Sequence, residues 1–193
     1  MTAPAAWLQV TATPLAGLVV VERRRRDDSR GFFSRLFCAE ELGAAGLDTS
    51  VTQVNHSFTR RRGSVRGLHF QYPPHGETKF VSCLRGEVFD LAVDLRRGSP
   101  TYLQWHAELL SDTNGHSLFI PPGFAHGFQT LSDDCELIYL HSVPYAPGAE
   151  GGLNPTDPAL GIRWPLPLTD ISDRDAAHAP LGADFTGLVE DSR

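Results

Sequence analysis

From Val51 to about His141 the chain is a succession of short strand signals cut by turn clusters, and this most limits what it can become. Val65–Gln71 halts at Pro73-Pro74. Tyr102–Leu110, Ser117–Ile120, Gly127–Leu131 and Glu136–Ser142 are separated by Asp112-Thr113-Asn114-Gly115, Pro121-Pro122-Gly123 and Ser132-Asp133-Asp134. Runs this short, with turn residues at this spacing, predict a β-sandwich or small barrel. Lys79–Arg85 and Glu87–Leu95 read as a hairpin about Gly86. The 18 glycines and 14 prolines, spread between apolar runs, agree with many tight turns.

Outside this stretch the signals are sparser. Leu15–Glu22 reads as an early strand and Arg30–Phe37 as a strand or strand edge, while Ala39–Ala45 is a short helix closed by Gly46. After Tyr145 the chain turns proline- and glycine-rich and reads as an extended wrap that ends in Ser172–Asp175 and a polar tail. At 193 residues one domain is expected. Residues 1–50 would supply N-terminal strands and a short helix, 51–145 the sheet core and 146–193 the wrap.

Bulk chemistry removes several function classes. A formal charge of −6 gives no global attraction to nucleic acid. The basic runs Arg23–Arg26 and Arg60–Arg62 read as solvated faces, with phosphate contact as the alternative. Cys38, Cys83 and Cys135 form no CxxC pair, so they suggest neither a zinc knuckle nor a disulfide framework, and a reducing cytoplasm is the expectation. No basic n-region or long apolar stretch suggests a leader or a membrane span. Hydrolase, kinase and dehydrogenase readings have no anchoring motif.

Four clusters carry possible chemistry. In Val65-Arg66-Gly67-Leu68-His69-Phe70-Gln71, strand alternation puts Gly67, His69 and Gln71 on one face. His69 is then either a satisfied core histidine or a general base titrating near neutral pH. Lys79 and Asp90 on the next strands read as a structural ion pair, or as a cation placed to stabilise an enolate oxygen. Asp90 lies between Val88 and Ala92 on one strand face, where a carboxylate needs a partner.

The third cluster, Ile120-Pro121-Pro122-Gly123-Phe124-Ala125-His126, has the Pro-x-Gly-x-x-His spacing of the second cupin motif, a turn that feeds a histidine into the mouth of a jelly roll. The His-x-His pair of the first motif is missing, since Gln71 and Gly67 flank His69 at two residues' distance. No metal is therefore expected. In the fourth cluster, Tyr139 is a core tyrosine or a general acid, with Tyr145 beyond it.

In order, these clusters resemble the dTDP-4-dehydrorhamnose 3,5-epimerase family. The match includes Asp28–Phe33, Gln53–Ser57, Arg66–His69, Lys79, Gly86–Asp90, Ser99–Thr101, Ile120–Phe128, Tyr139, Asp157-Pro158, Ile162–Pro165 and Ser172–Asp175. The resemblance implies an all-β cupin-type jelly roll (double-stranded β-helix) with short peripheral helices, working as a homodimer with no cofactor. Its substrate would be a nucleoside-diphosphate 4-keto-6-deoxyhexose inverted at carbon 3, carbon 5 or both. His69 resembles the base and Asp175 its carboxylate partner, with Asp173 the other choice. Lys79 resembles the enolate stabiliser, with Asp90 nearby, and Tyr139 the acid on the opposite face. Arg66 and His126 resemble pyrophosphate and sugar contacts. Arg30, Phe33, Gln53, Asn55 and Tyr145 resemble the nucleoside pocket, with Tyr145 reaching across the dimer.

Two departures stand out. Where the family often carries Phe-Glu after Arg-Gly-Phe-Phe, this chain has Ser34-Arg35, and Tyr-Lys at the acid position is Tyr139-Leu140. Arg35 reverses a charge expected by the nucleoside, which suggests a CDP- rather than a dTDP-linked sugar. The alternatives are a monofunctional 3- or 5-epimerase, a metal-dependent cupin enzyme and a catalytically dead sugar-nucleotide binder.

Overall fold

The computed structural model describes residues 6–182 and 185–189. In chain order the elements are β1 (Leu8–Ala12), β2 (Val19–Arg23), β3 (Arg25–Asp28), β4 (Gly31–Ser34), α1 (Ala39–Ala44), β5 (Gln53–Thr59), β6 (Ser64–Gln71), β7 (Lys79–Arg85) and β8 (Glu87–Asp94). They continue as β9 (Trp105–Ser111), β10 (His116–Ile120), β11 (Phe124–Thr130), β12 (Cys135–His141), β13 (Glu150–Gly152), β14 (Asp170–Ile171) and α2 (Asp173–Ala176). One sheet has the order β1-β2-β10-β7-β12-β5 and the other β13-β6-β11-β8-β9, with β14 parallel to β6 and β3-β4 a separate ribbon. Two facing antiparallel sheets whose neighbours are distant in sequence make a jelly roll, as the strand spacing predicts.

The hairpin expected about Gly86 does not form. β7 pairs with β10 and β12, whereas β8 pairs with β9 and β11, so the chain leaves one sheet at Gly86 and enters the other. Gly86 has φ +78°, and a Cβ there would stand 2.6 Å from Ser132 Oγ and 2.9 Å from Cys135 Sγ. Only glycine fits a left-handed turn packed this closely. A glycine between two apolar runs marks a turn, but it does not say which strands pair.

Three apolar layers follow from the two sheets. Val81, Cys83, Leu118 and Leu137 from one sheet meet Val88, Ala92, Phe124 and Phe128 from the other. Outside the second sheet, Leu68, Leu91, Val93 and Leu95 are covered by Leu153, Leu160 and Trp164 of the C-terminal wrap. Outside the first, Leu8, Val19, Val21, Phe80 and Phe119 are covered by Leu42 of α1. Strands buried on both faces lose the clean apolar–polar alternation, which explains the mixed pattern of β8. Among the described residues, no helix is long and apolar enough to cross a membrane.

Candidate active site

A cavity of about 720 Å³ opens between the sheets and is lined by Arg66, His69, Lys79, His126, Tyr139 and Asp175, among others. Strand alternation alone would put Arg66 and His69 on opposite faces of β6. The observed register pairs Arg66 with Phe128 and His69 with His126, so three steps on β6 face two on β11. This bulge turns both side chains into the cavity and takes Gly67 out of the set expected to share a face with His69. Gly67 has φ +119°, and a Cβ on it would lie 2.7 Å from both Gly127 Cα and His126 O. The two strands can approach this closely only with glycine at that point.

His69 is held from the C-terminal wrap. β14 runs parallel to β6, with Asp170 opposite Ser64 and Ile171 opposite Val65, and Ser172 then caps α2 by accepting the Asp175 N–H at 3.1 Å. This delivers Asp175, not Asp173, to His69. Asp175 Oδ1 lies 2.7 Å from His69 Nε2, and Oδ2 accepts the Gly67 N–H at 3.2 Å. Burial pushes the His69 pKa below its ordinary value, against the opposing pull of Asp175. Burial works to raise the Asp175 carboxyl, but the His69 hydrogen bond and the Gly67 amide hold it below the usual range. A neutral imidazole with Nε2–H given to a carboxylate keeps its lone pair on Nδ1.

Lys79 does not pair with Asp90. Its Nζ donates to His69 O at 3.2 Å and stands 3.2 Å from Glu77 Oε1. Asp90 is fully buried, and both its oxygens face His126 Nε2, at 3.0 and 2.9 Å. The carboxylate that the β8 pattern left without a partner is therefore matched by the histidine of the Pro-x-Gly-x-x-His turn. Among the described residues, no group of three or more His, Cys, Asp or Glu side chains could hold a metal ion.

Tyr139 donates to or accepts from Ser57 Oγ at 3.1 Å, and burial raises its phenol, so it is fully protonated at neutral pH. The Tyr139 ring lies edge-on to His126, with centroids 6.1 Å apart, and stacks on His141 at 6.2 Å. Gln53, Asn55 and Tyr145 line a recess of about 290 Å³ that shares Asn55, His69, Lys79 and His141 with the main cavity.

The remaining expected residues stand elsewhere. Arg30 and Phe33 lie on the exposed β3–β4 ribbon, where Phe33 is 63% exposed, packs edge-on against Trp7 and lines neither cavity. Arg35 also lines neither; its guanidinium pairs with Glu41 and lies over Trp7. The charge reversal inferred at Arg35 is thus cancelled by Glu41, and it carries no argument for CDP.

Ser57, Glu77, His141 and Arg174 also line these cavities, and the sequence reading gives none of them a catalytic or substrate-binding role. Glu77 is two residues before Lys79 and His141 two after Tyr139. His141 shares a face of β12 with Tyr139, so alternation points to it, whereas Glu77 precedes β7 and lies outside the reach of that rule.

Comparison with known proteins places the chain among relatives of similar sequence and fold. The family model described as dTDP-4-dehydrorhamnose 3,5-epimerase matches residues 12–183. A dTDP-4-dehydrorhamnose 3,5-epimerase of Streptomyces griseus is 45% identical over 178 residues, 91% of this chain and 88% of that one. The crystal structure of the Bacillus anthracis epimerase with TDP and pyrophosphate bound has TM-score 0.87 and 35% identity, covering 90% of this chain and 99% of that one. The Legionella pneumophila epimerase in complex with dTDP-4-keto-L-rhamnose has TM-score 0.88 and 36% identity, over 96% of this chain and 100% of that one.

Proposed function

The chain belongs to the dTDP-4-dehydrorhamnose 3,5-epimerase family, and on that basis we propose that it inverts carbons 3 and 5 of a dTDP-linked 4-keto-6-deoxyhexose in deoxysugar biosynthesis. The observation that carries the mechanism is the 2.7 Å contact of His69 Nε2 with Asp175 in a cavity shared with Lys79 and Tyr139. His69 Nδ1 removes the proton beside the 4-keto group, and Asp175 stabilises the imidazolium that forms. The electron pair moves onto the ketone oxygen, where the Lys79 ammonium balances the enolate charge. Tyr139 returns a proton to carbon from the opposite face, which inverts the centre. Proton exchange with solvent resets both groups.

Binding of the nucleotide follows from the rest of the cavity. Arg66 neutralises the pyrophosphate, and His126, fixed by Asp90, contacts the sugar. Gln53, Asn55 and Tyr145 in the adjoining recess receive the nucleoside side of the substrate. Residues 1–193 act as one epimerase unit, working as a cytoplasmic homodimer with no cofactor. Exposed Phe32 and Phe33 on β4 and Val54 and Phe58 on β5 support an apolar contact between copies.

Incubation with dTDP-4-keto-6-deoxyglucose in deuterated water, followed by proton NMR, tests the reading. Exchange at both carbons is expected. His69→Ala should abolish it, whereas Tyr139→Phe should keep exchange but lose net inversion. Wild-type turnover by the His69 variant would remove the assignment.

A further inference from the structure

Lys79 has a partner that the proposed mechanism does not use. Glu77, in the loop before β7, places Oε1 3.2 Å from Lys79 Nζ and Oε2 2.7 Å from His141 Nδ1. All three side chains are almost fully enclosed, Lys79 and Glu77 at 10% exposure and His141 at 11%. His141 is itself fixed twice more, by the stack on Tyr139 and by Asn55 Nδ2, 3.3 Å from its Nε2. Asn55 Oδ1 in turn accepts from Gln53 Nε2 at 3.1 Å, and Gln53 Oε1 accepts the Tyr145 N–H at 3.0 Å.

The polarities of this chain agree at every step. Since Gln53 Oε1 is taken by a backbone N–H, its amide nitrogen must face Asn55 Oδ1. That turns the Asn55 amide nitrogen toward His141 Nε2, which must then be the lone-pair nitrogen. The His141 proton therefore sits on Nδ1 and is given to Glu77. One carboxylate oxygen is occupied by a neutral donor and the other remains for the Lys79 ammonium. The string runs from exposed amides at Gln53 and Asn55 into the enclosed Glu77–Lys79–His141 end, and its consistent polarity favours one arrangement of its members. With His69 O and Glu77 taking two N–H groups of Lys79, the third remains for a substrate oxygen.

We propose that Glu77 is a positioning residue for Lys79, with His141 as its brace: the pair holds the ammonium aimed at the enolate oxygen, and the amides of Gln53 and Asn55 fix the tautomer that makes this possible. The proposal rests on the reading of Lys79 as enolate stabiliser. Because one enolate oxygen serves proton removal from both carbons, a fault in Lys79 placement must slow both removals together. Burial tends to raise the Glu77 carboxyl, but His141 and Lys79 outweigh it and hold it ionised.

The test measures steady-state turnover and deuterium exchange at carbons 3 and 5 for Glu77→Gln, Glu77→Asp, His141→Phe and the double variant Glu77→Gln/His141→Phe, with Lys79→Ala as reference. Thermal melts of each variant exclude misfolding. Glu77→Gln should lower kcat by roughly tenfold to a hundredfold, the range expected when a catalytic group loses its orienting contact. KM should stay within about threefold, and exchange at the two carbons should fall in parallel. Glu77→Asp should recover part of the loss. His141→Phe keeps a ring against Tyr139 but removes the donor to Glu77; it should cost less, and the double variant should be no worse than Glu77→Gln.

Wild-type kcat in Glu77→Gln would overturn the proposal. So would a loss confined to KM or to one carbon, or fully additive effects in the double variant. Undiminished exchange in Lys79→Ala would instead overturn the enolate reading and this inference with it. Loss in Lys79→Ala with none in Glu77→Gln would sink the inference alone.

Discussion

Replacing Asp175 with asparagine keeps the shape of the dyad and reverses its logic. Asp175 Oδ2 accepts the Gly67 N–H at 3.2 Å, so the asparagine must turn its oxygen to that amide. Its NH2 then faces His69 Nε2, where a carboxylate oxygen stood at 2.7 Å. Arg174 Nη2 lies 3.0 Å from the same Nε2 and can donate to it once that nitrogen gives up its hydrogen. Both neighbours of Nε2 would then be donors, its lone pair would be trapped between them, and the proton would move to Nδ1. Nδ1, the base of the proposed mechanism, would no longer carry a lone pair. A wrong tautomer behind an intact geometry costs about 10³–10⁴-fold in rate, or roughly 4–5.5 kcal/mol of barrier. Deuterium exchange at carbons 3 and 5 measures the rate, and nitrogen NMR of the labelled imidazole reads the tautomer. Exchange within tenfold of wild type, or an Nε2–H tautomer in the variant, would refute the reasoning.

Other outcomes follow from the same coordinates. Gly67→Ala forces a side chain into a φ +119° position 2.7 Å from the Gly127 backbone; it should cost about 2–4 kcal/mol and lower Tm by roughly 5–15 °C, and an unchanged melt would contradict the close approach. His69 acts only when neutral and its pKa is pushed down by burial, so kcat/KM should rise with pH through a midpoint below about 6.5. A midpoint above that value in a pH–rate profile would mean that Asp175 outweighs burial. Arg35→Ala removes a charge already paired with Glu41 outside the cavity. Calorimetric titration should show the same preference for dTDP over CDP as wild type; a switch in preference would restore Arg35 as the nucleotide reader.

Much of the fold was legible because turns are written locally. Pro73-Pro74, Pro121-Pro122-Gly123 and Gly86 each mark where a strand stops. Pairing was not legible, since β7 finds β10 and β12 through side chains far along the chain. The site divides in the same way. His69, Lys79 and Tyr139 are legible as a base, an enolate stabiliser and an acid because their residue types fit that chemistry within motifs that resemble the family. Arg66 reaches their side only through the bulge at Gly67, which alternation cannot anticipate. Asp90 announced itself as a carboxylate in need of a partner, but pairing with His126 rather than Lys79 depends on the register of β8 against β11. Glu77 and His141 carry no motif of their own, and their roles depend on side-chain contacts between a loop and two strands that only the folded chain makes.

Asp175 comes from the far end of the chain, whereas the base it serves lies on β6. A ribosome finishes the last long strand, β12, more than thirty residues before it reaches Asp175. Until that residue emerges, the nascent jelly roll has His69, Lys79 and Tyr139 without the carboxylate that sets the histidine tautomer. On the proposed mechanism, an unfinished chain would therefore carry the base without its orienting carboxylate, and full activity would await docking of the segment that bears Asp175.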